Sequence, residues 1–178
     1  MNIILKSFDG PLHTITATAA LRGLNIDTCI YVTNNKEDAP RISAKTMTWI
    51  PAAPMRKGQY PDHMDWNTVA PLDAELIEKM RSCEMRFLYM VQRYDKHLQW
   101  SYNDIKRQYL EHLRFWKHTL KHEKLDLCIF NHAPHQAYDL VLYELCKLQG
   151  IPIYHFERCY SVEGVLVVKD FRVSDENL

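Results

Sequence analysis

Between Leu125 and Arg158 the chain reads LDLCIFNHAPHQAYDLVLYELCKLQGIPIYHFER, and this run admits few folds. LDLCIF is a short apolar segment of strand length. PHQAYDLVLYELCKLQG is apolar on most sides, with Glu144 and Lys147 as its polar edge, and ends at Gly150, which marks a deeply packed helix. IPIYHF returns as a second strand. A strand, a helix and a strand in so short a stretch form a βαβ unit, and a βαβ unit requires a parallel sheet.

The same rhythm opens the chain. NIILKSF (Asn2–Phe8) reads as a buried strand stopped by Asp-Gly-Pro, where Gly and Pro dictate a turn. LHTITATAALRGL carries the small and apolar residues of a helix lying close on a sheet, with Gly23 as its C-terminal cap. NIDTCIYVT (Asn25–Thr33) is β-branched and reads as the next strand. KTMTWI predicts a third strand, and GVLVVKDFRV (Gly164–Val173) a final one before a polar tail.

The middle of the chain breaks the rhythm. Residues 51–71 hold four prolines together with Tyr60, His63 and Trp66, just after Trp49, and read as a long loop. Its aromatics are equally suited to binding a partner and to packing on the flank of the fold. From Asp73 an apolar stripe runs through Leu76, Met80, Cys83, Phe87, Val91, Tyr94 and Leu98, which predicts one continuous helix. Ser101 and Asp104 have capping-box spacing and open a second helix, with a stripe of Ile105, Tyr109, Leu113, Trp116 and Leu120. Its other face is basic (Lys106, Arg107, Arg114, Lys117, Lys121), a pattern that more often marks a solvated face than a binding surface. The expected architecture is α/β: one Rossmann-like three-layer sandwich over residues 1–178, with a mostly parallel sheet, an inserted helical pair at 73–122 and a C-terminal βαβ unit at 125–158.

Composition excludes several classes of function. Lys plus Arg and Asp plus Glu are equal at 22 each in 178 residues, so no bulk field draws a polyanion and no nucleic-acid partner is expected. No apolar run approaches the length of a membrane span. The five cysteines are odd in number and widely spaced, which points away from a disulfide framework and toward a reducing, cytoplasmic setting. The first βα turn, FDGPLH, has one glycine, so the dinucleotide fingerprint and the P-loop are both absent. No serine nucleophile elbow occurs either.

In open parallel sheets, ligands bind at the carboxyl ends of the strands. Here those ends read SFDGPLH, NHAPHQ and HFERCY, and they carry Asp9, His13, Asn131, His132, His135, His155, Glu157 and Arg158. Histidines beside a carboxylate and an arginine suit proton transfer on a hydroxylated or phosphorylated ligand. Helix capping, loop hydrogen bonds and a Glu157–Arg158 ion pair are the structural alternatives for the same residues. The His132-x-x-His135 spacing matches no standard zinc pattern, and no metal is expected.

The segment LDLCIFNHAPHQAYDLVLYELCKLQGIPIYHFERC resembles the N-terminal, acceptor-side domain of GT-B-type surface and capsule polysaccharide glycosyltransferases. Asp126, Pro134, His135, Asp139, Leu142, Tyr143, Gly150 and Ile151 fit that family's pattern of a D-x-hydrophobic strand, a Pro-His turn, a helix with Asp and Leu-Tyr, and a Gly-Ile-Pro strand. More loosely, the region is similar to the UDP-N-acetylglucosamine 2-epimerase-like superfamily, whose strand ends in His-x-Glu as His155 and Glu157 do here.

The resemblance implies a carbohydrate or nucleotide-sugar ligand and no tightly bound cofactor. It further implies a second Rossmann-like domain or partner chain to supply the donor site. His13, His135 and Glu157 are then the candidates for proton handling, and Asp9, Asn131, His132, His155 and Arg158 those for holding the ligand. Two other readings suit the same residues: a non-catalytic interaction protein using the fold as a platform, and a small His-dependent hydrolase or lyase.

Overall fold

The computed structural model describes residues 1–62, 64–94, 100–159 and 164–170, leaving aside the side chains of residues 94, 157–159 and 164. The first apolar run forms β1 (Asn2–Lys6) and stops at Ser7, whose φ of 63° leaves the strand region. Gly10 follows at φ 83°, ψ 166°, and Pro11 opens α1 (Pro11–Ala20). Only glycine adopts that backbone without strain, and Pro at the first helical position gives up no hydrogen bond. Asp-Gly-Pro is thus the turn that folds the helix back onto the sheet.

The remaining elements are β2 (Ile26–Thr33), β3 (Ala44–Pro51), α2 (Ala52–Met55), α3 (Ala74–Lys79), α4 (Arg81–Tyr94), α5 (Tyr102–His122), β4 (Leu127–Phe130), α6 (Ala137–Leu148), β5 (Ile153–Cys159) and β6 (Gly164–Val168). The strands form one six-stranded sheet in the order β3-β2-β1-β4-β5-β6. All neighbours are parallel except β5 and β6, which are antiparallel. The chain is therefore α/β with a mostly parallel, Rossmann-like sheet, as the two βαβ patterns require.

The chain divides into two compact units, residues 1–53, 123–133 and 150–178 in one and 54–122 with 134–149 in the other. In the first, the sheet unit, alternate side chains separate into two faces. Ile3, Leu5, Cys29, Tyr31, Ile129 and Phe156 form a core with Ala17 and Leu21 from α1 and its C-terminal turn. Phe8 caps this core edge-on to Phe156, with ring centroids 5.6 Å apart. The other face carries Ile4, Lys6, Ile30, Val32, Cys128, Phe130, Ile153 and His155, all of them buried. Burial on both faces is why these strands read as nearly unbroken apolar runs. Asp126 clamps the starts of β1 and β4: its carboxylate accepts from the Asn2 N–H at 2.7 Å, and its own N–H donates to the Asn2 carbonyl at 2.8 Å.

In the second, helical unit, the stripe beginning at Asp73 breaks instead of running through. Met80 leaves helical geometry at φ −94°, ψ 8°, and its carbonyl accepts both the Tyr109 hydroxyl at 2.8 Å and the Glu84 N–H at 3.0 Å. Apolar spacing does not register such a break, because the stripe continues across it. Leu98 and the Tyr94 side chain, the last positions of the stripe, lie outside the described residues. The capping box of α5 forms as its spacing predicts: the Asp104 carboxylate accepts from the Ser101 N–H at 3.1 Å, and the Ser101 hydroxyl accepts from the Asp104 N–H at 3.2 Å.

The proline-rich stretch also differs from a plain loop. It begins with α2 and packs its aromatics inward, with Tyr60 against Trp66 and Phe115 at centroid distances of 4.9 and 5.0 Å. Arg114 fixes its far end by donating to the carbonyls of Trp66, Val69 and Ala70. Packing on the flank accounts for Tyr60 and Trp66, while His63 lies outside the described residues.

Candidate functional site at the carboxyl edge of the sheet

The strand order reverses direction between β1 and β4, and at such a switch point the loops diverge and leave a crevice beyond the strand ends. The turn after β1 and the first residues after β4, Asn131 to Ala133, belong to the sheet unit. From β1 come Lys6, Ser7, Asp9 and, one helical turn on, His13. From β4 come Asn131 and His132, and His155 comes from β5, the next strand across. The edge is tied together by the backbone: the Asn131 N–H donates to the Lys6 carbonyl at 2.9 Å, and the Ser7 N–H to the Val32 carbonyl at 2.9 Å.

Lys6 was not among the residues expected at this edge. It pairs in register with Phe130, which pairs with His155, so the three form one row across the sheet on the face away from α1. Lys6 and His155 are both fully buried, and the Lys6 amine meets the Ser7 hydroxyl. A lysine closing an otherwise apolar strand is the signal in the sequence that marks this position, and the structure adds a positive φ at the next residue, Ser7. Strain in that region of φ costs on the order of 1 kcal/mol for a side chain other than glycine, and such strain gathers at functional sites.

The expected residues have distinct surroundings. The Asp9 carboxylate accepts from the Asn34 N–H at 2.6 Å, joining the first turn to the end of β2. His13 is half-buried, with Nδ1 2.9 Å from the Asp9 carbonyl. Asn131 and His132 are half-buried, and His132 Nδ1 lies 3.1 Å from the Ala133 carbonyl.

The His155 ring stacks on Phe130 at 5.2 Å. Burial pushes its pKa down to about 4, against a smaller upward pull from hydrogen bonding to the His132 backbone, so the ring is neutral at pH 7. His155 therefore supplies a fixed imidazole beneath the edge and is no store of protons. The side chains of Glu157 and Arg158 lie outside the described residues, although their backbone continues β5. His135 belongs to the helical unit, where it is exposed beside Gln136 at 3.4 Å. The next motif residue, Asp139, caps α6 by accepting from the Gln136 N–H at 2.9 Å.

Two chemical features follow. The first turn places a carboxylate, Asp9, where dinucleotide-binding sheets place glycine amides. A helix N-terminus behind an acidic side chain is a poor seat for a pyrophosphate. Among the described side chains, the half-buried remainder of the edge offers the Asn131 amide and the His13 and His132 imidazoles, which suit hydrogen bonding to hydroxyl groups.

The basic face of α5 is largely neutralised within the helical unit. Lys106 pairs with Glu84, Arg107 with Asp104, and Lys117 with Asp73. That agrees with a solvated, self-paired face. No group of three or more metal-ligating side chains occurs among the described residues. No helix among them is long and apolar enough to cross a membrane. Protein-family models, curated proteins and solved structures contain no match to this chain.

Proposed function

We propose that the sheet unit binds a carbohydrate at its carboxyl edge, as the acceptor-side half of a surface-polysaccharide glycosyltransferase-like protein. A second Rossmann-like domain or partner chain would supply the donor site. The observation that supports this reading is the bond from the Asn131 N–H to the Lys6 carbonyl, which joins the ends of β1 and β4 at the switch point, with Asp9 and His13 following β1 and His132 following β4 in the chain. The acidic first turn supports the acceptor side, because a donor's diphosphate needs a cradle that Asp9 opposes. His13 and Glu157 are the proton-handling groups in this scheme. Asn131, His132 and Arg158 orient hydroxyls, while Lys6 and His155 hold the floor of the edge.

The test is a titration of the whole chain with neutral sugars and UDP-sugars, followed by ¹H–¹⁵N NMR. Saturable shifts should centre on Asn131, His132 and the 7–13 turn. Asn131→Ala and His13→Ala, both at half-buried positions, should weaken binding at least tenfold while the spectrum stays dispersed. Shifts that survive both substitutions, or that never arise at this edge, refute the reading.

A further inference from the structure

Away from the sheet edge, two histidines meet at the end of α5. His118 and His122 stand four residues apart, and side chains at that spacing are neighbours on a helix surface. Their rings lie nearly parallel, at 19°, with centroids 5.5 Å apart. Two imidazoles that share one ion at about 2.0–2.1 Å from each nitrogen, in tetrahedral geometry, have ring centres roughly 5 Å apart. Small side-chain rotations therefore bring this pair to a chelating geometry.

Solvent reaches both rings, since His122 is exposed and His118 half-buried. His118 makes no hydrogen bond or ion pair with the described residues. His122 has a further interaction, which chelation tolerates: it takes one nitrogen of each ring, and metal-bound histidines ordinarily engage the second nitrogen elsewhere.

The surroundings suit a cation. His122 is the last residue of α5, where a helix ends in unsatisfied carbonyls and a partial negative charge. Of the lysines beside the pair in the chain, Lys117 is tied to Asp73 at 2.8 Å. Lys121 is exposed, so water and salt screen its repulsion. Imidazole nitrogen prefers transition ions such as Zn²⁺, Ni²⁺ and Cu²⁺, whereas Mg²⁺ and Ca²⁺ prefer oxygen. Two protein ligands leave the remaining coordination positions to water or an outside ligand, so the ion is exchangeable.

We propose that His118 and His122 form a two-histidine site for a divalent transition-metal ion of the Zn²⁺ class on the last turn of α5. Both residues belong to the helical unit, so the site does not depend on the sheet-edge reading.

The full chain, reduced and in a non-chelating buffer, is titrated with Zn²⁺ and separately with Mg²⁺. Binding is followed by calorimetry and by the imidazole nitrogen signals in NMR. Zn²⁺ should bind saturably and shift the ring signals of His118 and His122, and Mg²⁺ should do neither. Two variants locate the ion: His122→Ala, at an exposed position, and His118→Gln, which keeps a polar side chain of good helix propensity. Each should weaken Zn²⁺ binding at least tenfold with the circular dichroism of the helices unchanged. The proposal is overturned by folded protein with no saturable response, by an equal response to Mg²⁺, by shifts confined to other histidines, or by undiminished binding in either folded variant.

Discussion

Lowering the pH from 7 to 5 should destabilise this protein by an amount set by two buried imidazoles, one in each unit. His112 is 1% exposed, packs against Phe87 and Tyr138, and has Nδ1 3.1 Å from the Tyr60 hydroxyl. Burial lowers its pKa to about 3, as it lowers that of His155 to about 4. In both cases the folded value lies below the ordinary 6.5, so the unfolded chain binds the extra proton. Stability is then fully present above about pH 6.5 and falls as the pH drops toward the folded values.

Integrating that linkage from pH 7 to pH 5 gives about 2 kcal/mol per imidazole. The result is insensitive to the folded pKa, provided that it lies well below 5. If the two units unfold together, the loss is about 4 kcal/mol; if separately, each loses about 2 kcal/mol. The window stops at pH 5 because Asp27, Asp73 and Asp104 are held low by Lys45, Lys117 and Ser101 respectively, and their contributions disappear only in stronger acid. Glu111, raised by burial, acts in the opposite direction near the bottom of the window.

The measurement is urea unfolding followed by circular dichroism at pH 7 and pH 5. In His112→Asn the side-chain oxygen stands in for Nδ1 toward Tyr60, and the group no longer titrates. This variant should lose the pH dependence of the helical unit and keep that of the sheet unit. A wild-type stability that stays flat between the two pH values, or an undiminished slope in the variant, refutes the reasoning.

Two further substitutions test the local structure. Gly10→Ala should destabilise the sheet unit by about 1–3 kcal/mol, because φ 83°, ψ 166° is closed to alanine. Nothing lies within 4 Å of the added Cβ, so the cost is conformational, and a loss below about 0.5 kcal/mol in denaturant melts would contradict it. Asp139→Ala should cost the helical unit about 1–2 kcal/mol through loss of the α6 cap. Asp139→Asn, which still accepts from Gln136, should recover most of that loss, and equal losses in the two variants would remove the cap as the explanation.

Much of this fold was legible because its signals are local. Asp-Gly-Pro demands a turn whatever surrounds it, the Ser101–Asp104 box closes within one helical turn, and β-branched runs between turn signals read as strands. The break at Met80 was hidden because it depends on Tyr109, a residue of another helix, reaching its carbonyl. The inward packing of Tyr60 and Trp66 was hidden for the same reason: an aromatic in a proline-rich stretch looks alike whether it meets solvent or Phe115.

The amino-acid sequence by itself determined the α/β class, the parallel pairing and the polar residues at the strand ends, since periodicity and turn chemistry act over a few residues. Only the tertiary structure decided that Lys6 joins the edge in register with Phe130 and His155, and that Lys106, Arg107 and Lys117 on the basic face of α5 pair with Glu84, Asp104 and Asp73. Those properties depend on which distant segments meet, and strand order and helix packing set those meetings.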